Sequence, residues 1–174
     1  GCGCFEAAPS GCDNSCGSTL VNDQCGVCDG DNSSCTVSIS LGDYSDGVVP
    51  VYYSSGVLDV AGFQFDITGA SIDGAQGGAS SVFASGGGLM ASGNSPTVLG
   101  FDFSFEGLTM APGDESLLLN LAITGIAGDE VCLTSPVLTG VNSQLILSSN
   151  SDLCFDLPAV PLDISYNFGE GVTG

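Results

Sequence analysis

From Thr36 onwards, apolar and polar residues alternate with a period of two, segment after segment, with turn residues between. Val37, Ile39 and Leu41 alternate with Thr36, Ser38 and Ser40, and Phe63, Phe65 and Ile67 with Gln64, Asp66 and Thr68. Leu99, Phe101, Phe103 and Phe105 alternate with Gly100, Asp102 and Ser104; Leu117, Leu119, Leu121 and Ile123 follow a Met110-Ala-Pro-Gly-Asp114 turn. Each segment predicts a strand with one core face and one wet face. Further strands read at Val48 to Tyr53, Val131 to Leu133, Val137 to Leu138, Gln144 to Leu147 and Leu153 to Leu157. About nine strands in about 120 to 140 residues fit an all-β, two-sheet sandwich better than a barrel.

Two stretches depart from that rhythm. Gly69 to Asn94 is rich in Gly, Ala and Ser, with Ile72, Val82, Phe83, Leu89 and Met90 as its apolar anchors, and reads as a long connection with short strand pieces. A helix is not expected there, because each residue of Gly86-Gly-Gly88 would lose about 1 kcal/mol relative to Ala. At the other end, Leu162, Ile164, Tyr166 and Phe168 alternate strictly with Asp163, Ser165 and Asn167, after Pro158 and Pro161 have interrupted pairing. This tail either closes its own sheet or adds as an assembly strand to a neighbouring subunit, a contact that does not close on itself and so grows a filament.

Charge narrows the chemistry. The chain has no Lys, Arg or His and 20 Asp plus Glu, a formal charge of −20. Without cations it has no footprint for nucleic-acid phosphates or anionic membranes, no base for Ser-His or Cys-His catalysis, and no Lys or Arg for a Schiff base or a phosphate clamp. Each carboxylate must be solvated, hydrogen-bonded or bound to metal; Ca²⁺ is the candidate cofactor, and a charge that only keeps the protein soluble is the alternative. Asp102 and Glu106 could be paired as glycosidase carboxylates are, but no cluster separates an acid from a base, and Asp66, Asp102 and Asp163 read as solvated strand positions. No enzyme is expected. Composition is 43% hydrophobic, enough to fold, and these 174 residues hold no apolar run of transmembrane length and no signal-peptide pattern. The start at Gly1 rather than Met raises the expectation of a processed or fragmentary product.

Cysteine divides the chain: Cys2, Cys4, Cys12, Cys16, Cys25, Cys28 and Cys35 crowd residues 1–35, and Cys132 and Cys154 lie far beyond. The first segment has few large apolar residues, so disulfides must supply its core, which implies an oxidising compartment. A zinc site at Cys25 and Cys28 lacks a second pair or a His. Cys132 and Cys154 are expected to pair, and the odd total makes one N-terminal cysteine a candidate intermolecular link.

The run Asn22-Asp-Gln-Cys25-Gly-Val-Cys28-Asp-Gly-Asp-Asn32-Ser-Ser-Cys35 resembles the CGVCGGDNSSC element of thrombospondin-related and ADAMTS-related cysteine-rich regions, departing at Asp29. The resemblance implies an extracellular module and names no activity. Asp29, Asp31 and Asn32 could line a Ca²⁺ site, with an Asx-rich turn as the alternative. Asn32-Ser-Ser34 is an acceptor pattern for N-linked glycan, and Asn14-Ser-Cys16 a weaker one.

A second resemblance rests on Asp59-Val-Ala-Gly-Phe-Gln-Phe-Asp-Ile67, Val98-Leu-Gly-Phe-Asp-Phe103 and Gly113-Asp-Glu-Ser-Leu-Leu-Leu119, which together look like a cohesin-like or related carbohydrate-binding β-sandwich. It implies an Ig-like, jelly-roll module of nine strands over residues 36–157, preceded by the disulfide-rich module 1–35 and followed by the tail 158–174. Cohesins meet dockerin partners on one sheet face, but no local signature carries those contacts over. Glycan binding favours coplanar exposed aromatics, and the chain has no Trp. Of Tyr44, Tyr52, Tyr53 and Tyr166, Tyr52 and Tyr53 fall on opposite faces of one strand, so one of the two belongs to the core.

The expectation is an extracellular or cell-surface structural protein that assembles with copies of itself into a filament, sheath or surface array. Its rival is a monomeric adhesion module that binds a protein or polysaccharide through one sheet face.

Overall fold

The computed structural model describes residues 8–23, 25–31, 37–84, 88–92, 95–141, 145–148 and 153–158. At the N-terminus β1 (Pro9–Ser10) and β2 (Ser15–Cys16) form a small antiparallel hairpin whose turn passes through Asn14 at φ 53°. A Cys12–Cys28 disulfide ties that turn to the next one, and Cys16 and Cys25 are also disulfide-bonded.

The rest is all β. Ten strands follow: β3 (Ser38–Leu41), β4 (Val48–Ser54), β5 (Val60–Thr68), β6 (Ser71–Gln76), β7 (Leu89–Ser92), β8 (Ser95–Phe101), β9 (Ser116–Thr124), β10 (Glu130–Gly140), β11 (Leu145–Ser148) and β12 (Leu153–Asp156). They build a four-stranded sheet in the order β3-β4-β9-β6 and a six-stranded sheet in the order β11-β10-β5-β8-β7. Strand β12 pairs with the first half of β10, while β11 pairs with its second half, so both lie along one edge of β10. All pairings are antiparallel.

The inner faces meet in one core. Val49, Val51 and Tyr53 of β4, and Leu119, Leu121 and Ile123 of β9, face Phe63, Phe65 and Ile67 of β5 and Val131, Leu133 and Leu138 of β10. Phe63 stacks on Phe65 with ring centroids 6.0 Å apart. A fully buried Leu, Val or Phe contributes roughly 1.5–3 kcal/mol by leaving water, so this alternation sets the register of both sheets. Two irregularities adjust it. Leu118 is an extra residue opposite Val51 and Tyr52, which lets Leu118 and Leu119 both be buried, and Ser135 at φ 51° carries a bulge in β10 that returns Val137 to the face of Thr134.

Four expectations are corrected. The sandwich has ten described strands rather than nine. Residues 131–138 are one strand, since the bulge at Ser135 bends β10 without ending it. Gly69 to Asn94 holds two full strands, β6 and β7, and a helical turn, α1 (Ser81–Ala84). That turn forms because the Ser80 and Ser81 hydroxyls donate to the carbonyls of Gly77 and Gly78 at 2.9 and 2.8 Å and Phe83 drops into the core, before the glycine triplet begins.

The fourth correction concerns β8, which ends at Phe101 and is inverted relative to the expected face. Val98 and Gly100 point inward, while Leu99 and Phe101 point out. The Phe63 ring fills the space beside Gly100, where any Cβ would collide with it, so the core side of this strand needs a glycine. Phe103 and Phe105, expected in the core, are 58% and 91% exposed.

Candidate functional site

Because β8 turns Leu99 and Phe101 outward, the outer face of the six-stranded sheet is not the polar surface that alternation predicts. Register aligns Val137, Gln64, Leu99 and Met90 in one row across β10, β5, β8 and β7. The next row places Gly62 between Thr139 and Phe101. A Cβ on Gly62 would sit 3.1 Å from the Gly100 carbonyl and 3.2 Å from Thr139 Oγ1, so the glycine leaves a trough along the sheet. The trough opens into a cleft of about 430 Å³ lined by Ala61, Gly62, Phe101, Asp102, Leu108 and Val141. Met90 is 45% exposed and Val141 50%. Towards the opposite end the face becomes polar, where the Thr97 hydroxyl donates to Asp66 at 2.6 Å.

Asp102 shapes the rim of the cleft. Its carboxylate accepts the Ser104 hydroxyl (2.6 Å) and the backbone N–H groups of Ser104 (2.9 Å), Gly107 (2.6 Å) and Leu108 (3.0 Å). The Ser104 hydroxyl is the largest cause holding its pKa down at about 2, with those N–H groups acting in the same direction. A carboxylate so held is a loop clamp, and its pKa moves opposite to that of a general acid.

On the other side of the sandwich the Tyr53 hydroxyl donates to the Ala111 carbonyl at 2.6 Å, and burial raises its pKa. Tyr52 on the opposite face of β4 and Tyr44 are half-buried, Tyr44 stacking on Phe155 at 5.9 Å. No described tyrosine stands on the outer face of the six-stranded sheet.

The structure brings Cys132 and Cys154 together as a disulfide between directly paired positions of β10 and β12. It does not support zinc at Cys25 and Cys28, since Cys28 is bonded to Cys12 and Cys25 is also in a disulfide. Asp29 and Asp31 are exposed beside a turn organised by Asp23, whose carboxylate accepts the N–H groups of Cys25 and Val27, both at 2.9 Å. Among the described residues, Glu130, Cys132 and Cys154 form the one close group of three potential ligands, and its two sulfurs are bonded to each other. Cys2, Cys4, Cys35, Asn32, Asp163, Leu162, Ile164, Tyr166 and Phe168 lie outside the described residues. Sequence reasoning missed Leu99, Phe101 and Val137 as an outward-facing, half-buried set around Gly62; the signal available was Gly100 within the run Val98-Leu-Gly-Phe101.

These elements define a class, the all-β sandwich of cohesin-like architecture. A chain in the crystal structure of a cohesin–dockerin complex (CaDoc0917 with CaCohA2) is similar in fold, with a TM-score of 0.50 and 15% identity over 70% of this chain and 99% of that one. No family model and no curated protein matches the sequence. Among the described residues no helix is long and apolar enough to cross a membrane.

Proposed function

We propose that this chain is an extracellular protein-binding module whose partner docks on the outer face of the six-stranded sheet. The observation that carries the reading is the apolar trough along that face, formed by Leu99, Phe101 and Val137 around Gly62 and opening into the cleft beside Leu108. Such a contiguous apolar patch rimmed by polar groups marks an interaction surface. The fold likeness to a chain of a cohesin–dockerin complex supports a protein as the partner. The disulfides support an oxidising, secreted or surface setting, in keeping with the cysteine-rich resemblance at residues 22–35. The role proposed is binding rather than catalysis.

A photo-crosslinker at Leu99 tests this against the same group at Val57, which is 64% exposed and is not among the residues lining the trough or the cleft. With the extracellular proteins of the source organism, adducts from position 99 and not from position 57 are expected. Equal labelling, or none, would remove the sheet face as the docking site.

The second reading keeps the chain as a subunit of a filament, sheath or array. It draws on the exposed edges β3 and β6, each with one neighbour among the described residues, which could accept the strand of residues 162–168 from another copy. Two copies at −20 each repel, so this route requires screening by salt or a divalent cation such as calcium. Negative-stain microscopy with and without chelator and reductant decides it: ordered polymer supports the filament, and dispersed particles under every condition reject it.

A further inference from the structure

The loop that leaves β8 exposes three things that rarely occur together. Phe105 is 91% exposed, and its backbone is held at φ 61°, a left-handed conformation uncommon for a bulky residue. Phe103 is 58% exposed, and its ring centroid lies 6.4 Å from that of Phe105 and 5.7 Å from that of Phe101. The aromatic row therefore runs from the sheet face out to the tip of the loop. Finally, the loop is tied: the one carboxylate of Asp102 receives the N–H groups of Ser104, Gly107 and Leu108, fixing both sides of Phe105. An exposed aromatic on a strained and clamped backbone has its main chain ordered before its contact forms, so less freedom remains to be lost on binding.

The chemistry of the occupant follows from ring geometry and charge. The Phe101–Phe103 and Phe103–Phe105 planes meet at 65° and 36°, so the rings make no flat platform for a sugar. Asp102 and Glu106 flank the rings in a chain without a single cation, which leaves nothing to hold a lipid headgroup and disfavours a second copy. A protein pocket that takes an aromatic ring and carries Lys or Arg around its mouth satisfies both the rings and the carboxylates.

We propose that residues 102–108 are a preformed aromatic anchor, with Phe105 inserting and Phe103 backing it, for a partner protein whose apolar pocket is rimmed by Lys or Arg. This rests on the reading of the chain as a protein-binding module and names the chemistry of its partner.

A display library of small folded peptides with a randomised cleft, selected against the intact chain at 0.15 M NaCl, tests it. Enriched peptides combining apolar residues with Lys or Arg are expected, with binding weakened about tenfold or more by Phe105→Ser and by Phe103→Ser. Both variants keep the net charge, so non-specific adsorption of cationic peptides is unaffected, and both change exposed positions, with unaltered thermal unfolding as the folding control. Leu99→Glu separates this proposal from the reading beneath it. Peptides sensitive to Leu99→Glu but indifferent to both Phe variants overturn the anchor and leave the docking face standing. Peptides indifferent to all three variants, or no enrichment, overturn both, whereas sensitivity to the Phe variants alone upholds the anchor and removes the sheet face.

Discussion

Tyr53 carries a hydrogen bond between segments 58 residues apart in sequence, since its hydroxyl on β4 holds the Ala111 carbonyl in the turn before the neighbouring strand β9. Tyr53→Phe keeps the ring and removes the donor, so a loss of about 0.5–1.5 kcal/mol in urea unfolding is expected, and no loss would show that water serves that carbonyl equally well. Asp102 gives a second test by pH. Its folded pKa lies below its ordinary value of 3.8, at about 2. The clamp therefore adds stability that is complete above about pH 4 and is lost as pH falls towards 2. The Asp102 carboxyl carbon should titrate in NMR with a midpoint near 2, moving towards 3.8 in Ser104→Ala; a midpoint near 3.8 in the native chain would show that the carboxylate is unclamped. Single residues also mark where the sequence could be read and where it could not. Alternation separates Tyr52 from Tyr53 correctly, because β4 is inward on one face only. It separates Phe101 from Gly100 equally well but does not say which faces inward. That depends on Phe63, a residue on another strand that fills the space beside Gly100.

At the scale of elements the same limit recurs. Strands β5 and β9 were legible because their apolar residues are large and evenly spaced. Strands β6 and β7 were not, since Ser71 to Gln76 and Leu89 to Ser92 offer few large side chains, and their pairing with β9 and β8 supplies what their own pattern lacks. The turn α1 is tertiary too: four residues make no stable helix alone, and Phe83 in the core holds it. The proposed docking face was the least legible part, because its outward row exists only once four strands are in register. Strand β12 is held to β10 by four paired residues and by Cys132–Cys154. Replacing both cysteines by Ala is expected to lower stability by about 2–4 kcal/mol, by urea unfolding. Amide protection should fall first at residues 153–156, and uniform protection across β10 and β12 would show that the pairing holds without the disulfide.

For the whole molecule the decisive fact is that all 20 acidic residues lack a cationic partner anywhere in the chain. No salt bridge can offset their mutual repulsion, which is stronger in the compact state than in the unfolded one. Screening shortens the reach of that repulsion from about 30 Å at 0.01 M salt to about 3 Å at 1 M. The melting temperature at pH 7 should therefore climb with NaCl from 0.01 to 0.5 M. It should climb similarly with sodium perchlorate over the low end of that range, where screening depends on ionic strength rather than on the anion. A flat or falling curve would mean that the carboxylates are far enough apart, or well enough solvated, to ignore one another. The same repulsion bears on partnership: a surface that cannot approach its own copies without screening favours a cationic partner, and association with such a partner should weaken over the salt range in which the isolated fold gains stability. Opposite salt responses of folding and binding, measured on one preparation, would separate a recognition module from a self-assembling subunit, whose folding and assembly should both strengthen as salt rises.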